Sequence, residues 1–90
     1  MRTLVLTGQF KKDLKRYKHA YDMLNDLEKV LAHLSENGVV PSNYRPHQLS
    51  GNYKDCMECH VQGDFLLIWF DKNKSIIKLL RLGSHSELFK

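Results

Sequence analysis

Apolar residues change their spacing twice along this chain, and each change marks a new kind of element. Residues 2–6 form a short aliphatic and β-branched run that predicts a strand. Phe10, Leu14 and Tyr17 then recur at helical spacing with lysines on the other face, and Thr7 stands where a helix N-cap belongs. Met23, Leu24, Leu27, Val30, Leu31 and Leu34 mark a second, more apolar helix, closed by Asn37-Gly38. Residues 38–54 hold both prolines and read as a long connection, a length usually kept for function. From residue 55 the period drops to two. Residues 55–61, 64–70 and 75–82 predict three strands in two antiparallel hairpins. Ser84 and Glu87 have capping-box spacing and predict a final helical turn. The order β-α-α-β-β-β plus a terminal turn predicts an α+β domain with both N-terminal helices on one face of an antiparallel sheet.

Cross-strand pairing assigns the two faces of that sheet. If Val61 pairs with Asp64, His60 lies opposite Phe65 and Glu58 opposite Leu67. If Asp71 pairs with Lys74, Ile68 lies opposite Ile77 and Leu67 opposite Lys78. Met57, Cys59, Val61, Leu66, Ile68, Phe70, Ile77 and Leu79 then form the core beneath the helices. Glu58, His60, Phe65, Leu67, Trp69 and Lys78 share the other face. Acid, imidazole, aromatic and ammonium groups on one open face make a candidate site. A bulge in either hairpin exchanges the faces.

Composition narrows the class without choosing a function. Ninety residues make one domain, spanning 1–90, and 42% hydrophobic with 27% charged residues is ordinary for a globular chain. The longest apolar run, at 65–70, is too short to span a bilayer. The apolar N-terminal run gives way at once to lysines and does not read as a signal peptide, so a cytoplasmic location and no membrane are expected. The net charge of +4 is uneven: Arg2, Lys11, Lys12, Lys15, Arg16 and Lys18 crowd the first 18 residues against Asp13 alone. Such a stripe suits phosphate contacts, an acidic protein partner, or a plain solvated helix face.

Cys56-Met57-Glu58-Cys59-His60 matches the C-x-x-C-H pattern of covalent haem attachment. On a strand, however, residues three apart point to opposite faces, so these two thiols do not converge on one metal or disulfide. No second cysteine pair completes a zinc site. His47, His60 and His85 gather in the C-terminal half with a carboxylate beside His60, a set suited to proton transfer near neutrality. His19 and His33 fall on or beside the helices and read as surface residues.

His47-x-Leu49-x-Gly51-x-Tyr53-Lys54, Glu58-x-His60-Val61-x-x-Asp64-Phe65-Leu66-Leu67-Ile68 and Arg81-x-Gly83-Ser84-His85-x-x-Leu88-Phe89 together resemble the YafQ branch of the RelE superfamily of toxins. Thr7-x-Gln9-Phe10-Lys11-Lys12-Asp13 fits as well, so the resemblance covers essentially the whole chain. It implies a RelE-like fold and an endoribonuclease, an mRNA interferase that cuts messenger RNA, commonly in the ribosomal A site. It also implies a cognate antitoxin that wraps the toxin, with operator DNA bound only through that complex. His47, Glu58, His60, Asp64 and His85 correspond to catalytic positions, and Lys54, Phe65, Arg81 and Phe89 to RNA-contacting ones. Glu58 stands where relatives often carry Asp, and Phe65 where they often carry Trp.

The chemistry so implied needs neither metal nor other cofactor. A ribose 2′-hydroxyl attacks the adjacent phosphorus, leaving a 2′,3′-cyclic phosphate and a 5′-hydroxyl end. It requires a base, an acid and positive charge beside the phosphorane. His85 fits the acid, His60 or His47 the base, and Arg81 the phosphate clamp. Two other classes compete: a gyrase-binding toxin resembling ParE, and a non-catalytic RNA binder. The first would not need three histidines around one sheet face, and the second would keep the basic patch without depending on His85.

Overall fold

The computed structural model describes residues 1–73 and 75–89. Strand β1 (Thr3–Leu6) leads into helices α1 (Gly8–Arg16) and α2 (Tyr21–Asn37). A connection containing a two-residue strand, β2 (His47–Gln48), and two short 3-10 turns (Ser42–Tyr44 and Gly51–Tyr53) precedes β3 (Met57–Gln62), β4 (Phe65–Asp71) and β5 (Ile76–Ser84). One helical turn, α3 (His85–Leu88), follows. The five strands form one sheet ordered β1-β5-β4-β3-β2. All neighbours are antiparallel except β1 and β5, which run parallel because the α1–α2 crossover separates them in the chain. The α+β expectation holds, and β2 is an added strand inside what the sequence presents as a loop. Among the described residues no helix is long and apolar enough to cross a membrane.

Local chemistry sets the helix ends as expected. Thr7 is extended, and its Oγ1 accepts from the Phe10 N–H at 3.2 Å, satisfying one of the free donors of α1. Gly38 ends α2 in the left-handed conformation at φ 73°, where a side chain would be strained and would also strike the Arg2 guanidinium. Met23, Leu27, Val30 and Leu34 of α2, with Phe10 of α1, pack against Cys59, Val61, Leu67, Trp69, Ile77, Leu79 and Leu82 of the sheet. A second apolar cluster covers the opposite face, built from Cys56, Leu66, Ile68 and Leu88 with Leu49, Tyr53, Phe70 and Leu80 around them.

The face assignment is therefore right for β3 and β5 and wrong for β4. Phe65, Leu67 and Trp69 turn toward the helices, while Leu66, Ile68 and Phe70 turn to the Glu58 and His60 side. The cause is a bulge between His60 and Gln62, after which His60 opposes Leu66 and Glu58 opposes Ile68. A second irregularity between Ile68 and Trp69 sets Ile68 opposite Arg81, not Ile77, and Phe70 opposite Lys78. The expected Asp71–Lys74 pairing lies outside the described residues. As the central strand, β4 is covered on both sides, which is why 65–70 is apolar throughout instead of alternating.

Candidate active site

The short strand β2 brings His47 directly opposite Glu58. Glu58 is only 4% exposed because Ile68 faces it across the sheet and β2 closes its flank. His47 Nε2 lies 3.0 Å from Glu58 Oε1, and its Nδ1 lies 3.2 Å from the Arg45 carbonyl. Both ring nitrogens of His47 thus face oxygen acceptors of the protein, one a backbone carbonyl and one a carboxyl oxygen. Glu58 Oε2 is buried with no hydrogen-bond partner among the described residues. An uncompensated buried carboxylate is costly, so the His47 contact is what offsets its burial.

His60, two residues along β3 on the same face, has a different set of contacts. Its Nδ1 lies 2.9 Å from the Gly63 carbonyl, a contact that suits a proton on Nδ1, and its Nε2 has no hydrogen-bond partner among the described residues. The Arg45 guanidinium approaches the same nitrogen at 3.4 Å, and the His47 and His60 ring centroids are 6.4 Å apart. Arg45 is a site residue the sequence reading missed. It is exposed and held in the left-handed region at φ 50°, strain of a kind that clusters at functional sites. Its one local signal is its place between a 3-10 turn and Pro46.

His85 begins α3 at the end of β5, and its backbone N–H donates to the Asp64 carbonyl at 3.2 Å. The neighbouring carbonyls of Gly63 and Asp64, on the β3–β4 turn, thus hold the His60 ring and the His85 backbone respectively. Phe89 stacks near the His85 ring at 5.0 Å between centroids and meets Tyr53 edge-on at 5.7 Å. Its side of α3 is partly open to solvent, as are His85, Asp64 and Lys54.

Two expected RNA contacts sit elsewhere. Phe65 is half-buried on the helix side, edge-to-face with Tyr17 at 4.5 Å, so its ring belongs to the core and not to an open stacking surface. Arg81, expected as the phosphate clamp, turns toward α1. Its Nε donates to buried Asp13 at 2.8 Å, and Asp13 also accepts from the Leu82 N–H at 3.0 Å and from Gln9 at 3.2 Å. Burial alone would raise the Asp13 carboxyl, but the hydrogen bonds from Arg81, Leu82 and Gln9 and the Arg81 charge outweigh it and hold it below the usual range. Arg81 is thus first a partner of α1, with a quarter of its side chain exposed.

Cys59 lies on β3 and Cys56 just before it, since the strand starts at Met57 and not at the expected residue 55, and the two thiols pack in separate apolar clusters. Burial pushes the Cys59 thiol up to about 12, which makes it a poor nucleophile and a poor metal ligand.

A family model described as bacterial toxin of type II toxin–antitoxin system, YafQ, matches residues 2–90. The chain is 30% identical over 89 residues to the mRNA interferase toxin YafQ of Escherichia coli strain K12, covering 98% of this chain and 96% of that one. It superposes on the toxin of the E. coli DinJ–YafQ complex with a TM-score of 0.86 at 28% identity, covering 100% of both chains. A metal-bound toxin from Helicobacter pylori gives a TM-score of 0.86 at 39% identity, over 99% of this chain and 100% of that one.

Proposed function

Since the chain belongs to the YafQ family of bacterial type II toxins, we propose that it cuts messenger RNA by general acid–base chemistry at the His47–Glu58–His60 face. It is the toxin of a toxin–antitoxin pair and an mRNA interferase, an endoribonuclease. The observation that carries the mechanism is the contrast between two neighbouring imidazoles. His60 keeps Nε2 unengaged and open to the ribose 2′-hydroxyl proton, while His47 has both nitrogens engaged and acts as a hydrogen-bonding group beside the phosphorane. Glu58 orients His47 and is not itself the base. His85 gives the proton to the leaving 5′-oxygen, and the Asp64 carbonyl steadies its backbone. Asp64 also carries an exposed carboxylate on the turn between the two histidines.

Phe89 supplies an aromatic face for a base, and Lys54, Arg45 and the exposed Lys11, Lys12 and Lys15 of α1 supply phosphate contacts. Arg81 contributes charge from its Asp13-anchored position, and Phe65 has no RNA contact in this reading. The message is cut in the ribosomal A site, and a cognate antitoxin covers the toxin between episodes of activity, as DinJ accompanies the E. coli relative. Each proton donor and acceptor the reaction needs is a side chain, so no metal is assigned a step. The test is labelled RNA with purified protein, with and without ribosomes, in excess EDTA. Cyclic-phosphate ends formed despite the chelator are expected; activity lost on chelation and restored by added zinc overturns the mechanism.

A further inference from the structure

Helix α3 has four residues, too few to hold a helical turn by its own hydrogen bonds. Something outside must fix it, and Glu87 reaches in two directions. Its Oε1 accepts from the Ser84 N–H at 3.1 Å and the Ser84 hydroxyl at 2.9 Å, which caps the turn. The same oxygen accepts from the Tyr17 hydroxyl, and Oε2 pairs with the Arg16 guanidinium at 3.1 Å, both across from the end of α1. The capping carboxylate thereby bolts the terminal turn to a helix 70 residues earlier in the chain. Gly83 lies beneath this bolt on β5. A Cβ there would stand 3.4 Å from the Tyr17 hydroxyl and 3.3 Å from Leu88. The hydrogen bonds from Tyr17 and Ser84 hold the Glu87 carboxyl down to about 2, so the clasp stays ionised through any working pH.

We infer that Glu87, with Tyr17, is a positioning residue that sets His85 for proton transfer; this rests on the reading of His85 as the acid. Glu87 touches no substrate in this arrangement. It acts by fixing the first residue of α3, where a displacement of about 1 Å can cost on the order of 100-fold in rate.

The experiment is a double-mutant cycle read by single-turnover cleavage and RNA affinity at one salt concentration. Glu87→Ala should slow cleavage about 10–100-fold and Tyr17→Phe about 3–10-fold, with affinity moving no more than about threefold. Glu87→Gln should recover much of the loss, because its amide oxygen still accepts from Ser84 and Tyr17. In a His85→Ala background, removing Glu87 or the Tyr17 hydroxyl should cost nothing more. A full further loss there, wild-type cleavage by Glu87→Ala, or a loss confined to affinity overturns the positioning role. Should Glu87→Ala fail to fold, Tyr17→Phe in both backgrounds decides. Wild-type cleavage by His85→Ala itself overturns the acid assignment, whatever Glu87 does.

Discussion

At the scale of single residues, the decisive feature is which nitrogen of each imidazole is engaged. His60 and His47 stand on paired strands with ring centroids 6.4 Å apart, yet a carbonyl on one side of His60 and two acceptors around His47 give them different chemistry. If His60 is the base, His60→Ala should lower single-turnover cleavage by roughly 10²–10⁴-fold, and His47 cannot replace it because both its nitrogens are occupied. RNA affinity should stay within about threefold, since phosphate contacts supply most of the binding. Unchanged cleavage by His60→Ala would move the base elsewhere. The cysteines give the opposite expectation. Cys56→Ser with Cys59→Ala should leave cleavage within about tenfold of wild type, its cost being mainly lost packing at Cys59. Purified wild-type protein carrying a metal or haem that the double variant lacks would contradict this.

At the scale of elements, α1 is the keystone, because two of its side chains and that of its C-cap residue Tyr17 reach the C-terminal strand and turn. Asp13 holds Arg81 and the Leu82 amide, while Tyr17 and Arg16 hold Glu87. Its start is fixed by Thr7, whose hydroxyl accepts from Phe10 and donates to the Leu79 carbonyl at 2.8 Å. Thr7→Ala removes both a cap and a tie between α1 and β5, and should cost about 1–2 kcal/mol in urea unfolding. A change in midpoint too small to measure would mean the α1 start is held by packing alone.

At the scale of the whole molecule, two carboxylates link folding to pH. Asp13 and Glu87 are both depressed in the folded state, Glu87 to about 2 from a usual value near 4.5. A depressed carboxyl contributes stability that is present above its unfolded pKa and is lost as pH falls through its folded one. Stability should therefore decline from about pH 4.5 toward pH 2. Glu87→Gln should flatten part of that acid limb while leaving the slope near neutrality unchanged. Thermal unfolding of both proteins across this range is the check, and parallel acid limbs would show that folding does not depress the Glu87 carboxyl. Asp13→Asn should flatten a further part, at a larger cost in stability at pH 7, because it leaves the Arg81 charge without its buried counter-ion.

Much of this protein is written in stretches of a few residues. Helical spacing in α1 and α2, the caps at Thr7, Gly38 and Ser84, and the turn at Gly63 depend on neighbours close in sequence, and so they can be read without the fold. The site histidines were visible too, through their residue types and their likeness to a family. Three things needed the tertiary structure. The facing of β4 turned on one bulged residue, and six successive apolar side chains on a strand covered on both faces leave no alternation to betray it. The pairing of His47 with Glu58 turned on a two-residue strand hidden between prolines and turns, too short to leave a period. The partners of Arg81 and Glu87 stand 68 to 71 residues away, on α1 and its C-cap. Local patterns fix which elements form, whereas proton positions and ion pairs depend on which surfaces meet, and that is decided only when the layers pack.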